Sequence, residues 1–381
     1  MFVNPRTCLL PWLCLMLATA LPLSAQSEDA GKGIEIDFLA SYYDQDGDNS
    51  PVTGGRGSEE LQSISPVFLV KYTTRSGWDL SGSLGADNIT SASTDNIDLD
   101  RNGVNISSAS RVDNRVFATF AGSKAFGNQT WGGNLGFSKE YDYRSLSGGF
   151  NWSLDLNGKN DTLGLALNRY QDEVELYDID GQVEGTSDRE TTDLSLSWSH
   201  VFSPKTVGIV ELSISDQSGW LSSPFQEVIL NTGERVQERL PDARTRTALR
   251  FSVNHAFTPG VVLRGYARYY DDDWDITATT IELEPHFRLP GTRPRWIYPI
   301  LRWHSQDGSN YFGLPETFTP GTEYYTADRD LSTFDSIKFG LGYQTPLNGS
   351  RIKRFQARAT YYDRDDGLTA FNLSFGFGFN M

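Results

Sequence analysis

The sequence predicts an all-β protein: a transmembrane antiparallel up-and-down β-barrel of about sixteen strands, with an error of about two either way. Three observations point there. Apolar residues recur at every second position along most of the chain. At its end Phe371, Leu373, Phe375, Phe377, Phe379 and Met381 alternate with Asn372, Ser374, Gly376, Gly378 and Asn380. Turn sequences punctuate these stretches, and the links between them alternate short and long. The composition is rich in aromatics yet modestly hydrophobic, with 17 tyrosines, 22 phenylalanines and 9 tryptophans at 38% hydrophobic residues and a net charge of −16. Disorder would explain the charge but not the aromatics. A strand with one face in lipid and one in water needs only half of its residues apolar, and past the N-terminus no stretch approaches the roughly 18 apolar residues of a membrane helix.

Taken in order, the chain begins with one positive charge, Arg6, then an apolar run from about Thr7 to Leu23, then small residues. That is the pattern of a secretory signal peptide, residues 1–25, cleaved after Ala25. Residues 26–381 then form a single barrel domain of the bacterial outer membrane. Both cysteines, Cys8 and Cys14, fall in the leader without a lipobox, so the mature chain is expected to have no disulfide, thiolate metal site or catalytic thiol.

The strands follow as hairpins. "GIEIDFLASYY" ranks Ile34, Ile36, Phe38, Ala40 and Tyr42 on one face; "ISPVFLVKYT" returns, and "RSG" turns the chain into "WDLSGSLGAD". "RVDNRVFATFAG", "TWGGNLGFSKEYDY", "RSLSGGFNWSLDL" and "TLGLALNRYQD" continue the pattern. So do "TTDLSLSWSHVF", "VGIVELSISD", "RTRTALRFSVNHAF" and "VVLRGYARYYD". "DITATTIELEPHFRL", "WIYPILRWHS", "DSIKFGLGYQT", "RFQARATYYD" and the terminal strand complete the set. Links around 74–77, 126–129, 157–160, 203–206 and 257–260 are short, and links at 44–63, 88–110, 172–190, 216–243 and 305–334 are long. Short periplasmic turns opposite long external loops are the mark of an outer-membrane barrel; short links near 139–145, 271–275 and 363–367 make the long-loop rim uneven.

Aromatic residues mark both interfaces. "YYD" recurs at 42–44, 269–271 and 361–363, with "EYDY" at 140–143, where strands run toward the long loops. "HVFSPKT", "HAFTPGV" and "KAFGNQT" sit at the opposite ends, as expected of two girdles where hydrocarbon meets water. The terminal strand is greasy because lipid is its partner. It resembles the C-terminal signal read by the outer-membrane assembly machinery, with Met381 in place of the usual aromatic.

Three stretches, "SKEYDYRSLSGGFNWSLDLNGKNDTLGLAL" (138–167), "SDQSGWLSSPFQEV" through "ERLPDARTRTALRFSVNHAF" (215–257) and "LRGYARYYDDDWDI" (263–276), resemble the bacterial family catalogued as domain of unknown function 3570. The resemblance spans most of the mature chain. It implies an outer-membrane protein of Gram-negative bacteria with no assigned substrate, activity or catalytic residue, and hints at an envelope redox partner.

Catalytic signatures are scarce: HExxH, GxSxG and the Walker loop do not occur, and the chain has four histidines. No nucleophile beside a base is legible, so an enzyme is not expected, and no cofactor is called for. His200 and His255 share parity with the apolar face and read as girdle residues. Asp44, Asp46 and Asp48 have the one-three-five spacing of a calcium loop, but Gly55 stands where the closing carboxylate belongs and Asn49 where glycine is expected. With "DDDWD" (271–275) and "DRDD" (363–366) they read as solvated loop tips, or as weak divalent-cation sites bridging neighbouring lipopolysaccharide. Nothing offers the basic stripe that nucleic acid needs.

The most informative polar set has inward parity. Arg244, Arg246 and Arg250 share one strand face, Arg264 and Arg268 (with Tyr266 and Tyr270) the next, Glu282, Glu284, His286 and Arg288 the third, and Arg302 and His304 the fourth. Folding the hairpins brings Arg250 roughly opposite Arg268, and Arg302 or His304 beside Glu282. In lipid each charge would cost roughly 2–4 kcal/mol at midplane, so they must line the lumen. There they either pair off to fill a wet or plugged interior, or act as a selectivity zone. The reading that follows is a porin-like passive channel for small hydrophilic solutes. The alternative is a non-conducting scaffold or partner-docking barrel serving an envelope redox complex. Oligomeric state is not legible.

Overall fold

A computed structural model describes residues 33–92, 98–99, 105–106, 111–179, 182–347 and 351–380. The expected signal peptide, with Cys8 and Cys14, and the terminal Met381 lie outside the described residues. The barrel strands are β1 (Ile34–Asp46), β2 (Glu60–Thr73), β3 (Trp78–Ala92), β4 (Arg111–Phe126), β5 (Gln129–Lys139), β6 (Tyr143–Leu156), β7 (Asp161–Tyr177) and β8 (Val183–Ser203). The second half holds β9 (Thr206–Gly219), β10 (Ala243–Thr258), β11 (Val261–Asp272), β12 (Thr277–Leu289), β13 (Arg295–Asp307), β14 (Phe334–Pro346), β15 (Ile352–Arg364) and β16 (Thr369–Asn380).

These sixteen strands pair antiparallel in chain order, and β1 closes the ring against β16. Closure removes both sheet edges, which would otherwise carry unpaired backbone donors and acceptors into hydrocarbon. The closing seam keeps the parity of the whole sheet: Phe38 lies opposite Phe377 on one side and Phe68 on the other, and Ser41 opposite Ser374. One face is therefore apolar all the way around.

No core covers that face. Leu135 is 66% exposed and Leu84 61%, values that make sense only if lipid replaces a packing partner. The short-turn rim carries the ring contacts expected of a girdle, with His200 edge-on to Phe202 and His255 edge-on to Phe257, both at 4.5 Å. His200 is anchored there by Asp161 at 2.6 Å. At the other rim each "YYD" splits: Tyr42, Tyr269 and Tyr361 share the apolar parity, whereas Tyr43, Tyr270 and Tyr362 have the opposite one. Half of each repeat thus belongs to the interior, because adjacent residues of a strand cannot face the same way.

The short turns match expectation. Gly127 and Asn128 alone join β4 to β5, and Gly127 sits at φ 63, a left-handed value that favours glycine. On the long side one expectation fails. The 172–190 segment is mostly not loop, since β7 runs to Tyr177 and β8 starts at Val183, leaving 178–182 as the link. Cross-strand pairs such as Asp188 with Glu173 and Ser187 with Val174 extend the ladder past the apolar zone. Their polarity only reports that this ribbon stands outside hydrocarbon.

The parity makes a test. Phe375→Arg places a charge in hydrocarbon and costs roughly 2–4 kcal/mol, whereas Ser374→Arg points inward. Phe375→Arg should abolish the heat-modifiable, folded form in membrane fractions on gels, and Ser374→Arg should retain it. Equal levels of both would overturn the assignment.

Candidate functional site

The inner face has two unlike walls. Across the middle of β3 to β8 it is built of small neutral residues, among them Ser81, Ser83, Gly132, Asn134, Gly136, Ser147, Gly149, Ser195 and Ser197, with Asp87, Arg115 and Asp193 on the same face toward the long-loop end. Glycine here makes room for neighbours: a side chain at Gly85 would strike the inward ring of Phe117. From β10 to β15 the wall carries long charged and aromatic side chains. Ion pairs there skip whole strands. Glu284 of β12 holds Arg358 of β15 at 2.7 Å, and Glu282 of β12 holds Lys338 of β14 at 2.8 Å. Asp37 of β1 reaches Arg354 of β15 at 2.7 Å, past Gly378 of β16. Side chains can bridge intervening strands in this way only along the chord of a concave surface, which places all six inside the barrel.

The sequence-derived set falls on this wall in rungs. Arg250 pairs in register with Arg268, and beyond it come Thr280 and His304; His304 Nδ1 lies 2.8 Å from the Thr280 hydroxyl. One rung nearer the short-turn end Tyr266, Glu282, Arg302 and Lys338 lie side by side. Arg264 follows beside Glu284. His286 stacks on Tyr298 with centroids 4.2 Å apart. Arg244 proves structural: it donates to Asp272 at 2.5 Å and covers the Trp274 ring at 4.2 Å. Arg246 shares its face one rung above Ala248.

Lys338, Arg354, Arg358 and Arg364 complete the wall and were missed in the sequence. Their inward parity was legible, but the partners of Lys338, Arg354 and Arg358 lie two or three strands away, beyond what hairpin folding can pair, and Arg364 pairs with Asp366 of its own turn and with Asp330 of the long link 308–333.

The acidic tips are corrected too. Asp272 of "DDDWD" is buried, not solvated: its carboxylate accepts from Arg244, from the Tyr270 hydroxyl at 2.6 Å and from the backbone N–H groups of Trp274 and Ile276. Asp366 of "DRDD" likewise accepts from Arg364 at 2.6 Å. Asp44 and Asp46 lie on extended β1, where Asp44 accepts from Tyr42 at 2.6 Å and Gln62 at 2.7 Å, while Asp48 lies beside Gly367. Among the described residues no group of three or more His, Cys, Asp or Glu is arranged to hold a metal ion.

The long loops hold the least expected feature. Links 47–59 and 220–242 leave the rim eight strands apart on a ring of sixteen, so they start on opposite sides of the mouth. Yet they meet: a side chain at Gly54 would fall 2.6 Å from Ile229. Link 308–333 joins both. Glu316 N donates to Ile229 O at 2.7 Å, Asn231 N to Phe318 O at 2.8 Å, and Arg239 and Tyr325 exchange backbone bonds. Arg329 donates to Asn49 at 2.9 Å. Val52, Val228, Ile229 and Ala327 are buried on these links, with Gly55 against Ala327 as Gly54 is against Ile229, while Phe225 packs on Tyr177 with ring centroids 4.5 Å apart. These loops form a cap across the long-loop mouth.

The cap also dips inward. The turn Arg329–Leu331 is seated on the inner wall, Leu331 packing against Ala248, Tyr270, Ile276 and Ala278. Gln306 donates to the carbonyls of Asp330 and Ser332 at 2.9 and 2.8 Å, and Arg364 to the Asp330 carboxylate at 2.6 Å. The Arg250–Arg268 rung lies one rung below this seat. Toward the short-turn end a cavity of about 670 Å³ opens against β1 to β6, lined by Glu35, Lys71, Asp79, Ser81, Ser123 and Asn151 among others.

The cap holds buried acid. Glu238, 4% exposed, accepts from Thr326 Oγ1 at 2.5 Å and Ser223 N at 2.7 Å. Burial pushes its carboxyl up to about 8, with the Asp328 charge adding and Arg189 opposing. Burial raises Asp328 and Glu59 as well, with the charge of Asp330 next in both. A raised carboxyl binds its proton more tightly in the closed cap than in an opened loop. Closure is therefore firmest below the ordinary value of 4.5 and weakens as pH climbs through about 8. Protease cleavage within 220–242 and 308–333 should rise between about pH 5 and about pH 9. Glu238→Gln should hold the cap shut across that range. Cleavage that is flat or falls with pH in the wild type would contradict this.

Comparison with known proteins adds a family and a fold. A family model described as "Protein of unknown function (DUF3570)" matches residues 14–373. No curated protein matches. Among solved structures, a bacterial polysaccharide outer membrane secretin superposes with a TM-score of 0.52 at 10% identity, covering 93% of this chain and 100% of its own. OccK9 (OpdG) of Pseudomonas aeruginosa has a TM-score of 0.43 at 10% identity, with 92% and 98% coverage. A BenF-like porin of Pseudomonas fluorescens Pf-5 has 0.42 at 8% identity, with 91% and 99% coverage. At these identities the likeness is one of fold.

Proposed function

The chain belongs to the DUF3570 family of proteins of unknown function, and from its barrel we propose that it is an outer-membrane channel for the passive passage of small hydrophilic solutes, with a weak preference for anions. One observation carries the reading: a lumen with one wall of small neutral residues and one of arginines, a lining suited to water rather than to packing. Residues 1–25 would act as a cleaved export signal, and β16 would present the segment read by the assembly machinery. Lipid and lipopolysaccharide would surround the apolar band. A solute would pass the cap, then the narrowing made by the inward turn at 329–331, then the arginine rungs, and leave through the cavity at the short-turn end.

Charge sets the preference. Arg244, Lys338, Arg358 and Arg364 are neutralised by carboxylates, so they contribute little field. Arg250, Arg264, Arg268 and Arg302 are cations along the path, while Glu282 and Glu284 are tied to Lys338 and Arg358. The exterior is acidic, but screening over about 8 Å at physiological salt weakens distant loops more than the lining. The cap favours a second reading, a barrel that stays closed and serves as a scaffold or docking partner, here for an envelope redox complex.

Conductance of the purified protein in planar bilayers separates the two readings. Under a salt gradient the reversal potential should show weak anion preference in the wild type. It should shift toward cations in an Arg264→Glu, Arg268→Glu double variant. An unchanged reversal potential would remove these residues from the path, and no conductance would favour the scaffold.

A further inference from the structure

Lys338, Arg354, Arg358 and Arg364 on the inner wall each hold a carboxylate; beneath the inward turn two arginines do not. Arg250 on β10 and Arg302 on β13 have no carboxylate within 4 Å among the described residues, and the Nε of each is enclosed without a hydrogen-bond partner. Glu211 is the register neighbour of Arg250 on β9, and Glu282 that of Arg302 on β12, yet Glu282 is taken by Lys338 at 2.8 Å. Arg268 stands on β11 opposite Arg250, two strands from Arg302. Tyr266 forms the floor, with the Arg250 guanidinium 4.7 Å from its ring centroid.

Like charges on neighbouring strands repel, and an enclosed guanidinium nitrogen without a partner is costly. Chains normally break such clusters with an acid, as this one does for Lys338, Arg358 and Arg364. Leaving the cluster open makes sense if the neutralising group arrives from outside.

The strands set the span. Arg250 and Arg302 are separated by three inter-strand steps of about 4.8 Å, and Arg268 stands on the first strand between them. Planar guanidinium forks grip oxyanions two oxygens at a time. A single monovalent anion would satisfy one fork and leave the others crowded, whereas an ion with two negative charges can engage both ends. We propose that Arg250, Arg268 and Arg302 form a saturable station for small doubly charged oxyanions, dicarboxylates or phosphates, at the level where the inward turn narrows the lumen. The station rests on the channel reading for its purpose, but not for its binding.

The test is equilibrium dialysis of the full barrel in detergent, which leaves the short-turn mouth open, with succinate and separately inorganic phosphate as probes at fixed salt. At least one probe should bind saturably at one site per barrel, and acetate should bind about tenfold more weakly or worse. An Arg250→Gln, Arg302→Gln double variant should weaken binding by about tenfold or more, while Arg75→Gln in the exposed turn after β2 should not change it. Arg250→Lys with Arg302→Lys keeps the charge and loses the fork, so it should fall between. All variants are compared as folded, heat-modifiable barrels.

The proposal is overturned if neither probe saturates, if the glutamine pair binds as the wild type does, or if acetate binds as tightly as succinate. Conductance is measured separately. Saturable binding without conductance keeps the station and rejects the channel, and conductance without saturation does the reverse.

Discussion

In hydrocarbon every backbone donor and acceptor must find its partner within the protein, and the rest of this structure depends on that constraint. A sheet can meet it only by closing on itself. β16 therefore pairs with β1, and the register that joins Phe38 to Phe377 locks each strand into the same alternation. A slip of one residue would turn a strand's inward rank toward lipid, and from β10 to β15 that rank is charged. Because the two ranks are bound together, the need for an apolar outside also decides which residues face inward, and so where chemistry can occur.

The inner face uses that freedom unevenly. Between β3 and β8 serine, glycine and asparagine keep the wall thin, and the cavity of about 670 Å³ adjoins the first part of this arc. Between β10 and β15 long side chains reach over neighbouring strands to form ion pairs such as Arg358 with Glu284. Buried pairs of this kind contribute little net stability, but removing one partner strands the other. They hold the arginine rungs in place while leaving Arg250 and Arg302 open. Above them the cap brings together loops from opposite sides of the long-loop mouth through Gly54, Ile229 and Glu316, and seats Leu331 against the wall.

What could be read in the sequence followed from this period of two. The strand count, the short turns, the apolar rank of β16, the opposition of Arg250 to Arg268 and the place of Arg302 beside Glu282 all come from parity and hairpin folding, both of which are local. What could not be read depends on distance across the ring. The partners of Lys338 and Arg358 lie on strands that hairpin reasoning does not bring together. "DDDWD" has the composition of a solvated tip, yet Arg244 from the neighbouring strand β10, with the Tyr270 hydroxyl and the turn's own Trp274 and Ile276 amides, makes Asp272 a buried anchor. The cap is the extreme case. Its buried residues Val52, Val228 and Ala327 come from three links with no periodic signal, so nothing local announces that the links meet.

Channel, station and cap all require that the arginine wall face water while the alternate residues face lipid. The most direct measurement is a single-cysteine scan of β11 from Leu263 to Tyr270, probed in membranes with a water-soluble, membrane-impermeant thiol reagent. Labelling should alternate, strong at Arg264, Tyr266 and Arg268 and weak at Leu263, Gly265, Ala267 and Tyr269. Labelling in the opposite phase, or at every position alike, would contradict that orientation.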